Sequence, residues 1–233
     1  MENTTIRKTT RIKTPPKKTN YYLISLEELK NLRTDVKPKL LLHACCGPCS
    51  CFPLVFLCPY FDVTIFFNNS NIYPEEEYTR RLEELKKLLG FYKKDYGYEV
   101  NLIVRPYNNL EYMKDLLPYK DLREGGTRCQ LCYEKRMSEA YDYAEENGFD
   151  YFTTVMTISR QKDSQIMNSI GKKLEAKHSK CKYFYSDFKK NAGIDKAREL
   201  RLHYELYNQQ YCGCQISYGG YLEREKLKEN GGK

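Results

Sequence analysis

Seven of the ten cysteines lie in three short clusters: Cys45-Cys46-Gly47-Pro48-Cys49, Cys129-Gln130-Leu131-Cys132 and Cys212-Gly213-Cys214. The clusters are far apart in the chain, so a fold that gathers them must bring three separate loops to one place. It then holds more sulfurs than the four that one zinc ion accepts. That surplus points to iron-sulfur or redox chemistry.

Simpler uses of cysteine account for part of the set. Disulfides need an oxidising compartment, and residues 1–20 contain no apolar segment of the kind that directs secretion. Reduced thiols in a cytoplasmic protein are therefore expected. Cys51, Cys58 and Cys181 stand in or beside apolar runs, as buried structural cysteines do. A zinc knuckle built from Cys129-x-x-Cys132 and one other pair is an alternative, but three clusters exceed its needs.

At 233 residues and 41% hydrophobic, the chain can bury a full core without disulfides. No apolar stretch reaches the ~20 residues of a membrane span, since the run from Phe52 to Phe67 is broken by Pro53, Pro59 and Asp62. A soluble protein is expected. The net charge is +8, and Arg7, Lys8, Arg11, Lys13, Lys17 and Lys18 face only Glu2 near the start. Residues 1–22 thus read as a basic disordered tail, 23–217 as the α/β domain carrying the chemistry, and 218–233 as a polar C-terminal tail. Basic charge together with 22 tyrosines also suits an RNA partner, through phosphate attraction and base stacking.

Strands are expected at 39–43, 62–67, 100–104, 151–155 and 182–185. Helices are expected after a capping box at Ser25, over 74–89 with Gly90 as the stop, over 113–117 ending at Pro118, from 129 to 146, over 163–177 and over 197–207. The alternation implies an α/β fold: an open, mainly parallel sheet with helices on both faces and a helical C-terminal part. Sites on such sheets form beyond the carboxyl ends of strands. The CCGPC loop, the loop at Asn68 and the segment from Thr153 to Ser159 should therefore share one rim. Pro48 suits the first turn of a helix, whose amides would favour thiolates in the loop before it.

No Walker or dinucleotide glycine loop is present. His43, His178 and His203 are the only histidines, and His43, at a buried strand end, reads as a core residue. A cysteine hydrolase is hard to assemble from them. A cubane cluster needs four thiolates, which Cys45, Cys46, Cys129 and Cys132 can supply from two loops. Cys49, Cys212 and Cys214 remain. Cys212 and Cys214 would close a strained, easily reduced disulfide ring; alternatively, the three hold a second iron beside the cluster.

From Lys39 to Ser217 the chain resembles the QueH-type epoxyqueuosine reductases. The likeness rests on Leu-His-Ala-Cys-Cys-Gly-Pro-Cys at 42–49, Phe-Phe-Asn-Asn-Ser-Asn-Ile-Tyr-Pro at 66–74, Glu77-Tyr78 with Arg80, Arg128-Cys-x-x-Cys-Tyr-x-x-Arg136, Phe152-Thr-Thr and Tyr211-Cys-Gly-Cys214. Tyr73 stands where the family pattern more often has a histidine. The resemblance implies an adenine nucleotide alpha-hydrolase-like fold without its ATP loop, and a [4Fe-4S] cluster, with an additional mononuclear iron open. It also implies reduction of epoxyqueuosine to queuosine at the tRNA wobble position, with an external electron donor.

On that reading Asn68, Tyr73 and Glu77 are candidates for binding the modified base or delivering protons, with helix capping the other use of Glu77. Arg128 and Arg136 are assigned to tRNA phosphates or cluster electrostatics, with a solvated helix face the other reading of Arg136. A cluster-dependent tRNA sulfur transferase would need an ATP pyrophosphate loop, which is absent. A non-catalytic zinc module that binds RNA is the remaining rival.

Overall fold

Leu40, Leu41 and Leu42 form an unbroken apolar run, and all three are fully buried. A strand that is apolar on both faces must lie inside a sheet covered on both sides. In the computed structural model, which describes residues 18–32 and 35–231, this run is β1 (Lys39–His43) at the centre of a five-stranded sheet. The order is β3-β2-β1-β4-β5, with β2 at Asp62–Phe67, β3 at Asn101–Val104, β4 at Tyr151–Thr154 and β5 at Lys182–Tyr183. Every pairing is parallel. The expected α/β class and parallel sheet are therefore present.

The pleat divides the core. Leu40, Leu42, Val63 and Ile65 face one layer, formed mainly by α1 (Tyr21–Lys30), α2 (Gly47–Leu57), α3 (Glu75–Tyr96) and α7 (Gly193–His203). Leu41, Phe66 and Phe152 face α5 (Thr127–Glu146) and α6 (Ser164–Glu175) on the other side. The chain leaves β1 toward β2 on one side, and β4 later returns to its other side. The carboxyl ends of β1 and β4 thus form the switch point where such sheets open a crevice. The CCGPC turn follows β1, and the 3-10 turn Val155–Ile158 follows β4.

Several boundaries differ from expectation. The first helix begins at Tyr21, because the Asn20 side chain accepts a hydrogen bond from the Leu23 amide at 3.3 Å. Ser25 lies inside that helix and donates to the Tyr22 carbonyl at 2.7 Å. α3 runs past Gly90, whose missing side chain would meet open space, and stops at Gly97 in the left-handed conformation (φ 68°). In place of a helix over 113–117 stand α4 (Asn109–Lys114) and a 3-10 turn, Leu117–Tyr119, that contains Pro118. The last core helix begins at Gly193, before the expected Ala197.

The boundary expected at 22/23 falls within α1, and that at 217/218 falls within α8 (Gln215–Gly231). Of the basic tail, Arg7, Lys8, Arg11, Lys13 and Lys17 lie outside the described residues. Among the described residues no helix is long and apolar enough to cross a membrane.

Candidate metal centre and reaction cleft

The CCGPC turn is held where backbones nearly touch. A Cβ on Gly47 would lie 2.8 Å from the Glu84 carbonyl oxygen of α3, so only glycine lets α2 start there. Cys46 is the N-cap and Pro48 sits in the first turn, as expected. The Sγ atoms of Cys45, Cys46 and Cys49 all lie within 4.8 Å of one another, with Cys45 and Cys46 3.9 Å apart. Sulfurs bound tetrahedrally at ~2.3 Å from one ion stand about 3.8 Å apart. The triad therefore has the spacing of a single-ion site.

Its protons are unequally shared. Hydrogen bonds from Cys46 and Cys49 hold the Cys45 thiol well below its ordinary range, against its burial. Burial and the neighbouring sulfurs push Cys46 well above that range, and Cys49, bonded to Cys45, is raised to about 12. The Gln209 amide reaches the same sulfurs, with Nε2 3.2 Å from Cys46 Sγ and 3.4 Å from Cys49 Sγ. Its buried Oε1 has no hydrogen-bond partner.

The other four clustered cysteines form a second group. Cys129 and Cys132, in the first turns of α5, line a small apolar cavity together with Cys212 and Cys214. Three of these sulfurs accept a hydrogen bond: Cys129 from the Gly125 amide at 3.2 Å, Cys132 from the Tyr112 hydroxyl at 3.3 Å, and Cys214 from the Ser217 amide at 3.4 Å. Gly213 has φ 127°, which side-chain-bearing residues rarely adopt. The four thiols expected to act together, Cys45, Cys46, Cys129 and Cys132, are divided between the two groups, the first pair lying with Cys49 and the second with Cys212 and Cys214.

Two cations connect the groups. Arg136 is 2% exposed, donating to Asn69 Oδ1 at 3.3 Å and to Met156 Sδ at 3.1 Å. Burial opposes its charge, but Cys132, Tyr112, Cys45 and Cys212 together raise its pKa above the usual value. Lys162 is held protonated in the same way, with Cys212 and Cys45 outweighing burial. The solvated-face reading of Arg136 is thus overturned. A cleft of about 550 Å³ opens beside them, lined by Cys45, Cys49 and Cys212 and by Arg81, Arg160, Lys162, Arg198 and Arg201. Among the described residues no carboxylate lines it.

The remaining sequence candidates are tied into the structure around the two thiol groups. Asn68 is 3% exposed and ties the Arg136 carbonyl (3.0 Å) to Glu139 (3.2 Å). Tyr73 bonds through its backbone, its N–H donating to the Gly213 carbonyl at 2.7 Å and its carbonyl accepting from the Tyr211 hydroxyl at 2.7 Å. Glu77 pairs with Arg81 at 2.7 Å, and Arg81 donates to the carbonyls of Tyr211 (3.0 Å) and Cys212 (3.1 Å). The pair anchors the CxC loop. Arg128 is 3% exposed, donates to the carbonyls of Lys120 and Leu122 at 2.7 and 2.8 Å, and lines the cavity of Cys129, Cys132, Cys212 and Cys214. His43 is a core residue, its Nδ1 2.8 Å from Thr154 Oγ1 and its pKa pushed down to about 3 by burial and Arg136.

Sequence reasoning missed Arg81, Lys162 and Gln209. The i,i+4 spacing of Glu77 and Arg81 was the one local signal among them.

The sequence profile of the family described as "Epoxyqueuosine reductase QueH" matches residues 40–219. The chain belongs to the QueH epoxyqueuosine reductase family. A QueH from Streptococcus pyogenes serotype M1 is 36% identical over 201 residues, covering 86% of this chain and 78% of that protein. One from Staphylococcus aureus is 38% identical over 185 residues, 78% of this chain and 76% of that one. The QueH of Thermotoga maritima is 32% identical over 190 residues, 80% of this chain and 92% of its own length. Among solved structures, the U34-tRNA thiolase NcsA from Methanococcus maripaludis with its [4Fe-4S] cluster aligns with TM-score 0.46 and 16% identity. That alignment covers 89% of this chain and 75% of the thiolase. The QueH match spans all seven clustered cysteines, whereas α1 and most of α8 lie outside it.

Proposed function

We propose that this chain reduces the epoxide of epoxyqueuosine, at the wobble position of a tRNA, to the alkene of queuosine. The observation that carries the reading is the convergence of two thiol groups on one cationic cleft at the switch point of the sheet. Removal of the epoxide oxygen as water consumes two electrons and two protons, and the electrons come from an external donor.

The donor set fits metal in two forms. Cys45, Cys46 and Cys49 have the spacing to hold one iron, which would act as a Lewis acid there. Cys129, Cys132, Cys212 and Cys214 surround a separate cavity and match the four thiolates of a [4Fe-4S] cluster. When bound, these groups supply single electrons and a Lewis acid for the epoxide oxygen.

The polypeptide supplies the rest. The Lys162 ammonium lines the cleft near Cys45 and Cys212, where negative charge develops on the departing oxygen and a proton is needed. Arg136 offsets thiolate charge that would otherwise be costly to bury. Arg160, Arg198 and Arg201 attract phosphates at the rim. The target base enters only when it is splayed out of its loop.

The test combines tRNA nucleoside analysis with iron and acid-labile sulfide assays on anaerobically purified protein. Conversion of epoxyqueuosine-containing tRNA is expected, with iron and sulfide both present. Replacing Cys132 or Cys214 by Ala should remove sulfide and most iron, whereas Cys45→Ala should lower iron and spare sulfide. Zinc without sulfide in the parent protein would overturn the reading.

A further inference from the structure

A second concavity, about 250 Å³ in volume, lies against the reaction cleft and shares Gln210 and Tyr211 with it as a common wall. It is floored by tyrosines. Tyr211 and Tyr221 stack with centroids 5.5 Å apart and planes at 21°, and Tyr218 lies 5.2 Å from Tyr211 and 6.3 Å from Tyr221. In the same lining the Arg80 guanidinium sits 3.4 Å over the Tyr207 ring. These four tyrosines are only half-buried. The Tyr211 and Tyr207 hydroxyls are bonded to Tyr73 and Glu77, which fixes those two rings. Fixed aromatic faces beside a guanidinium plane are the surface on which proteins stack unpaired bases.

We infer that this tyrosine pocket binds a nucleobase adjacent to the one that enters the cleft. The inference rests on the tRNA-reductase reading above. The common wall is what links the two sites, since a strand that delivers one base past Tyr211 lays its neighbour against the other face. Charge favours nucleic acid over other aromatic ligands. Arg80 lines the pocket, one of the pocket's two acids, Glu77, is paired with Arg81, and the adjoining cleft carries Arg160, Lys162, Arg198 and Arg201 besides, with no carboxylate among the described residues that line it. Stacking also needs no particular base, so the pocket aids binding without narrowing sequence.

The probe is an anticodon stem-loop RNA with 2-aminopurine placed at the 5′ neighbour of the wobble base, at the 3′ neighbour or in the stem. Binding is read by anisotropy and stacking by quenching of the 2-aminopurine. One of the two neighbours should be quenched on binding, with the stem probe unchanged. Tyr221→Ala and Tyr221→Leu should abolish that quenching and weaken binding by about 5- to 150-fold. Tyr221→Phe should keep both, because the ring face and not the hydroxyl is used. Bound RNA with neither neighbour quenched, or quenching that survives Tyr221→Leu, would overturn the pocket and leave the reductase reading standing. Failure of the parent protein to bind the RNA would overturn both.

Discussion

Gln209 donates to the sulfurs of Cys46 and Cys49 while its Oε1 is buried without a partner. Donation to a metal-bound thiolate tunes the metal, and outer contacts of this kind are worth about 10- to 100-fold in metal affinity. Gln209→Leu preserves volume but removes both donors. It should weaken iron retention by the Cys45 triad within that range, measured by chelator competition, and leave labile sulfide unchanged. Unaltered retention would make Gln209 a passive wall of the cleft. The cysteines were legible in the sequence because their chemistry is rare and their clustering is local. Gln209 and Arg81 were not, since their contacts with the thiol loops reach across more than a hundred residues, as in Gln209–Cys46 and Arg81–Cys212, and Lys162 meets Cys45 and Cys212 only through the fold. Arg128 was expected to meet tRNA phosphates or the charge of a cluster; its guanidinium donates to the nearby carbonyls of Lys120 and Leu122, and it lines the cavity of Cys129, Cys132, Cys212 and Cys214.

At the level of elements, α3 does more than cover the sheet. Its first turns carry Glu77 and Arg81, 8% and 1% exposed, and Arg81 grips two carbonyls of the CxC loop. Breaking a buried pair by removing one charge costs about 3–5 kcal/mol, because the remaining charge stays buried. Glu77→Gln should therefore lower stability by about that amount in denaturant titration. In the metal-free protein it should also speed alkylation of Cys212 and Cys214 relative to Cys129. Equal alkylation rates in parent and variant would show that the loop is held by other contacts. Helix starts and stops were only partly legible. Gly90 resembles a stop, yet the residues after it remain amphipathic and pack, with Tyr92 fully buried and its hydroxyl bonded to the Cys51 carbonyl at 2.9 Å. Tertiary burial outweighed a glycine cost of about 1 kcal/mol.

For the whole molecule, the strand-helix alternation was enough to give a parallel α/β sheet, but not the strand order. That order depends on which edge each crossover joins, and only the return of β4 beside β1 creates the crevice. It brings the CCGPC turn, the segment after β4 and α7 together, so Arg160, Arg198 and Arg201 come to line one wall although two different elements carry them. The expected role of basic charge thus has a structured counterpart inside the described residues. If these three arginines meet phosphates, each contact releases counterions, and log affinity falls with log salt by about 0.7–0.9 per contact. Arg160→Gln, Arg198→Gln and Arg201→Gln should each flatten the salt dependence of tRNA binding by about that increment. Labile sulfide and iron should stay at parental levels, because none of the three contributes a thiolate. A slope that keeps its parental value in all three variants would separate the cleft's charge from RNA binding.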